Sequence, residues 1–226
     1  MTRTEAVASR PPRGQRVRRI RVEPDGSARR WPGAAGGFAL LGEVLWVGIL
    51  VTIASLPILT LPGALAAGTR SLRRYLRAER SGVVEFRDDL ARAVLPGLVV
   101  GLAAVGLVGL GVASAAIALG YGLPGGEMVA IAALALVGAA STVTLALAAT
   151  WRPAIGWSGA ARGVLHDLAA DASGTALLVV AIVLTGVCAW QYPPLIVPAL
   201  GCLAFAAAVV VERRIVRAQR LDAAAL

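Results

Sequence analysis

Five long runs of this chain contain no arginine: residues 38–61, 93–121, 128–151, 174–190 and 195–211. Each is close to or above the ~20 residues that a helix rising 1.5 Å per residue needs to cross ~30 Å of hydrocarbon. All 22 basic residues fall between or outside these runs. A soluble core has no use for such sorting. A bilayer does, because a charge left at its centre costs about 2.5–3.5 kcal/mol on insertion scales. The pattern predicts an all-α, polytopic transmembrane helical bundle of five to six membrane segments, spread over residues 31–216.

The last four segments, 93–121, 128–151, 174–191 and 195–216, alternate without conflict under the positive-inside rule. The 63–92 segment, the 152–173 connection and the end of the chain are basic, whereas the turns at 121–127 and 191–194 carry no arginine. The first segment conflicts. Nine arginines lie in residues 1–30, and a single crossing at 38–61 would put them on the side opposite the next basic loop. Either that tail crosses against its charge, or the region forms a hairpin: a helix over 31–56, a break at Pro57–Pro62, and a shorter helix over 58–80. Leu61, Leu65, Leu72 and Leu76 recur at helical spacing in the return arm, which ends in Arg70, Arg73, Arg74, Arg77 and Arg80. The hairpin is preferred, with a disordered basic tail over 1–30, a short tail over 217–226 and both termini cytoplasmic. Cleavage as a signal peptide is disfavoured, because the apolar run of about 24 residues exceeds the ~7–15 of a leader's core. Trp31, Tyr121, Trp151, Trp157, Trp190 and Tyr192 all fall at span ends, as headgroup-level rings do.

Composition agrees. Hydrophobic residues make up 58% of the 226, and mean hydropathy is +0.75. The net charge of +9 would suggest nucleic acid in a soluble protein. Here, confined to tails and loops, it suits membrane lipid and topology instead. Cys188 and Cys202 lie in apolar spans without a Cys/His cluster, so no metal and no cofactor is expected, and both read as small buried hydrophobes.

Few residues offer chemistry. Glu43 is the only acid within an apolar run. It reads either as an intramembrane polar site pairing with Arg70 or Arg73, or as a shallow, wet carboxylate. Ala93, Gly97, Gly101, Gly109 and Ala113 form a small-residue ridge that lets another helix of this chain, or a second subunit, approach closely. Ser141, Thr142, Thr144 and Thr150 suit helix glue better than a substrate path. His166 beside Asp167 lacks a nucleophile partner, and no Walker A lysine exists, so the chain is not expected to be an enzyme. Arg74, Arg77 and Arg80 present a surface for lipid or a partner.

Residues 42–92 carry a resemblance. Gly42-Glu43 precede Trp46, then Ser55-Leu56-Pro57-Ile58-Leu59-Thr60-Leu61-Pro62, Ala64 to Ala67, Leu72-Arg73-Arg74-Tyr75-Leu76-Arg77, Glu79 and Phe86. This is similar to the YesL-type family of bacterial integral membrane proteins, a domain of unknown function. Leu90 stands where a second aromatic residue is expected, and the basic tail is longer. The resemblance implies an inner-membrane protein accessory to a carbohydrate ABC transporter, with transporter subunits as partners. It assigns no catalytic residue. The alternative is a small-solute permease or channel-like transporter in its own right, with Glu43 on the path.

Overall fold

The computed structural model describes residues 37–121 and 124–224. They form seven helices: α1 (Gly37–Ala54), α2 (Leu61–Leu76), α3 (Val83–Gly120), α4 (Gly126–Thr150), α5 (Gly156–Ala170), α6 (Ala172–Gln191) and α7 (Ile196–Ala224). No strand occurs among the described residues. Helices α1, α3, α4, α6 and α7 are long and apolar enough to cross a membrane. Their outward faces are lined with exposed leucine, isoleucine and valine, from Leu98, Val99 and Leu102 on α3 to Val180, Val183 and Leu184 on α6. Water-exposed apolar patches rarely exceed a few hundred Å², so hydrocarbon surrounds these faces. The protein is a multi-pass helical membrane protein.

The Pro-broken hairpin is present. Pro57 and Pro62 offer no N–H to a continuing helix, and the chain folds through a 3-10 turn over Ile58–Thr60. Thr60 closes that turn by donating its hydroxyl to the Ala54 and Pro57 carbonyls, at 2.6 Å each. The return arm is shorter than the sequence suggests. The turn's Leu59 carbonyl lies against Gly101, where a Cβ would collide with it. The sixteen residues of α2 rise about 24 Å, short of the ~30 Å of hydrocarbon that a full crossing needs. Such a segment is tolerated where protein encloses it, and every residue from Pro62 to Thr69 is buried. Residues 31–36 of the expected outward arm, Trp31 among them, and the 1–30 tail lie outside the described residues.

Helix α2 fills the centre of the bundle. Ala64, Ala67 and Leu72 meet Val47 and Val51 of α1 and Ala204, Ala207 and Ala208 of α7 in one core, each at 0% exposure. Lipid tails are as apolar as these side chains, so close packing rather than water exclusion holds them. Glycine makes that packing possible where α1 crosses α7: a Cβ on Gly48 or Gly201 would strike the opposing backbone.

The small-residue ridge on α3 divides. Gly97 faces the Trp157 ring, with 3.0 Å to a notional Cβ, and Gly101 faces the hairpin turn. Gly109 faces open space, and Gly111 takes its place against Ala133 and Val137 of α4. Of the ridge's three glycines, two therefore pack within the chain. Gly109 fails because α3 has rotated it away from α4.

Helix α5 is unforeseen, since 152–173 reads as a connection. Its buried positions, Trp157, Ala160 and Val164, are spaced three and four apart, a short amphipathic face between charges. Trp157 donates Nε1–H to the Ala93 carbonyl at 3.0 Å and stacks obliquely on Trp151, centroids 6.1 Å apart. These two tryptophans are core residues, not headgroup anchors. Trp190 and Tyr192, by contrast, are exposed at the end of α6. Helix α3 starts at Val83, ten residues before its apolar run, and α7 continues to Ala224 rather than ending near 216. In both cases a charged stretch prolongs an apolar helix.

Candidate functional site: an arginine-walled cleft

Ion pairs gather the charged ends of the helices at one face. Asp89 of α3 lies 3.1 Å from Arg70 Nε and 2.8 Å from Arg74 Nη2. Glu212 of α7 accepts from Arg73 Nε at 2.7 Å and from Arg77 Nη2 at 3.0 Å. Both carboxylates are buried, at 4% and 6% side-chain exposure. Two turns at the end of an amphipathic helix thus send Arg70 and Arg74 to α3 and Arg73 and Arg77 to α7, because residues four apart share a face. The two acids clamp the end of α2 between the helices that flank it.

A cleft of about 460 Å³ opens over these arginines. Arg152, just past the end of α4, supplies a fifth guanidinium, and Glu79, Ile215 and Gln219 complete the wall. Arg152 is exposed and has no carboxylate partner among the described residues. Arg74 Nη1 is buried without a hydrogen-bond acceptor. Glu212 lies sixteen residues beyond the start of α7, about 24 Å along its axis, so the cleft sits near the depth where ~30 Å of hydrocarbon gives way to headgroups.

A second set of charges lies on the same face. Asp171, between α5 and α6, accepts from the Gly174 N–H at 3.1 Å as the N-cap of α6, and from Arg214 Nε at 3.0 Å. Burial pushes the Asp171 carboxyl up. The hydrogen bonds from Arg214, Gly174 and Ser173 outweigh that and hold it below its ordinary value.

The expected pairing of Glu43 with Arg70 or Arg73 is not what forms. Both arginines are taken by Asp89 and Glu212, and Glu43, half-buried on α1, meets the Ser81 side chain in the turn after α2. That places Glu43 beside the arginine-bearing end of the bundle, the shallow position. Arg74 and Arg77 each turn to an acid, Arg77 remaining 43% exposed, and both line the cleft; Arg80 is exposed with no such partner among the described residues. Asp89, Arg152 and Glu212 were missed as site residues. Glu212 had a readable signal, being the first charge after an apolar run and followed by two arginines. Asp89 had none, because only the hairpin's register against α3 brings it to Arg70.

The hydroxyls of Thr142, Thr144 and Thr150 bond back to their own helix, to the Gly138, Ala140 and Ala146 carbonyls at 2.7, 2.8 and 2.9 Å. Cys188 and Cys202 are free thiols, but half-buried and exposed respectively rather than buried as expected, because each lies on an outward face of its helix. His166 is exposed, 4.0 Å from Asp167. No cluster of three His, Cys, Asp or Glu side chains able to hold a metal occurs among the described residues. Comparison with protein-family models, with curated proteins and with solved structures gives no match to this chain.

Proposed function

We propose that the chain is a non-enzymatic bacterial inner-membrane protein, accessory to a carbohydrate ABC transporter, with its arginine-bearing face in the cytoplasm. The assignment to the YesL-type family rests on the residues of the first hairpin. The observation that favours an accessory over a carrier is the filled centre of the bundle: small side chains of α2 pack against α1 and α7 at 0% exposure, and Glu43 stands at the basic end instead of along a path. The arginine-bearing face faces the cytoplasm under the positive-inside rule, where the ATP-hydrolysing half of a transporter resides.

The test is affinity purification of the tagged chain from its native membranes in mild detergent after brief crosslinking. Recovery of a sugar permease subunit or its ATPase at near-stoichiometric yield is the expected result. Repeated purification without any transport component, together with solute flux by the isolated chain in proteoliposomes, would replace this reading with a permease.

A further inference from the structure

We propose that the arginine-walled cleft is a binding site for a phosphate dianion, carried either by a lipid headgroup or by a soluble phosphate compound. The argument begins with how the arginines are held. Asp89 and Glu212 take Arg70 and Arg73 by Nε, the inner edge of the guanidinium. That fixes the side chains and leaves their terminal nitrogens uncommitted. A guanidinium has five donors in a planar fork suited to bidentate contact with phosphate. Here four such forks stand on the last two turns of α2, held in advance by buried acids, Arg74 and Arg77 spending one terminal nitrogen each on them.

Charge decides the ligand. Five arginines line the cleft against Glu79, with Asp89 and Glu212 behind them, so two positive charges remain uncompensated. Like charges converge there too, Arg152 acting unfavourably on both Arg70 and Arg73. A phosphate monoester carries about −1.5 to −2 at neutral pH, which matches that excess. A carboxylate carries one charge and fewer acceptor oxygens. Arg74 Nη1, buried and without an acceptor, is a donor that such an oxygen would satisfy. At about 460 Å³ the cleft is also of ligand size, within the ~300–1,000 Å³ usual for small-molecule sites. The inference goes beyond the transporter reading and stands whether or not that reading does.

Arg152→Glu is the diagnostic variant, since this side chain is exposed and tied to no acid, so its loss leaves the fold's ion pairs intact. Arg80→Glu, an equal charge change outside the cleft, is the control. Full-length protein in phosphatidylcholine nanodiscs is titrated with pyrophosphate and inorganic phosphate at constant ionic strength, and separately compared in nanodiscs with and without phosphatidic acid. Binding is read by thermal shift and by native mass spectrometry. Wild type and Arg80→Glu should bind, and Arg152→Glu should bind at least about tenfold more weakly, as the loss of one charge-assisted contact implies. Response to pyrophosphate alone marks a soluble ligand. Response to phosphatidic acid alone marks a lipid. The proposal is overturned if wild type responds to neither, or if Arg152→Glu and Arg80→Glu weaken binding equally.

Discussion

Replacing Glu212 by Gln tests whether the clamp on α2 is structural. The carboxylate is 6% exposed and holds Arg73, itself 10% exposed, at 2.7 Å, and Arg77 at 3.0 Å. Gln keeps the shape and one acceptor but removes the charge, leaving the Arg73 guanidinium buried without a counter-ion. Removal of one partner from a buried pair costs about 3–5 kcal/mol. Arg77 is 43% exposed and can turn to water, so the lower end, about 3 kcal/mol, is expected. For a chain of this size that corresponds to roughly 6–12 °C in midpoint. The decisive comparison is Arg73→Met with Glu212→Leu in one chain. Exchange of a whole buried pair for apolar side chains is often neutral, so the double variant should regain most of the loss. The assay is thermal unfolding in one detergent, followed by fluorescence of the tryptophans. If Glu212→Gln melts with wild type, or the double variant melts no higher than the single, the reasoning from burial and pairing is wrong.

Gly101→Ala puts a methyl onto the Leu59 carbonyl and should destabilise by at least about 1–3 kcal/mol, since backbone cannot yield as a side chain does; Gly109→Ala, facing open space, should stay within about 0.5 kcal/mol, and equal melting of the two would refute the packing described for the hairpin turn. Trp157→Phe removes the 3.0 Å donation to the Ala93 carbonyl and should cost about 1–3 kcal/mol in chemical denaturation; no measurable loss would mean that α5 is not anchored by this bond. Asp171→Asn keeps a capping oxygen but loses the charge that Arg214 faces. Because the Asp171 carboxyl is depressed in the folded chain, its contribution is present at neutral pH and is lost as pH falls through the folded value. Wild type should therefore exceed the variant by about 1 kcal/mol at pH 7, with the gap narrowing as pH falls below about 4; a gap that does not narrow at all as pH is lowered in pH-dependent unfolding would exclude the charge as its source.

Glycine and arginine illustrate how far the chain could be read before its fold was known. Gly97 and Gly101 were recognisable as contact positions from their four-residue spacing, yet the same spacing named Gly109, which touches nothing, and missed Gly48 and Gly201, isolated glycines that meet only because α1 and α7 cross there. The arginines of 70–80 were legible as an interfacial cluster, but not as a cleft. Their acids come from 139 residues away in the case of Arg73 and Glu212.

What the sequence by itself determined is which solvent surrounds each stretch. Transfer of apolar and charged side chains between water and hydrocarbon is a local, additive cost, and it sorts helices from connections residue by residue. The tertiary structure alone decided that α2 stops short of a crossing, that Trp151 and Trp157 point inward, and that two carboxylates clamp four arginines around a cavity. Those features depend on helix rotation and register, which are settled by the fit of one helix against another, and no local property of the chain encodes that fit.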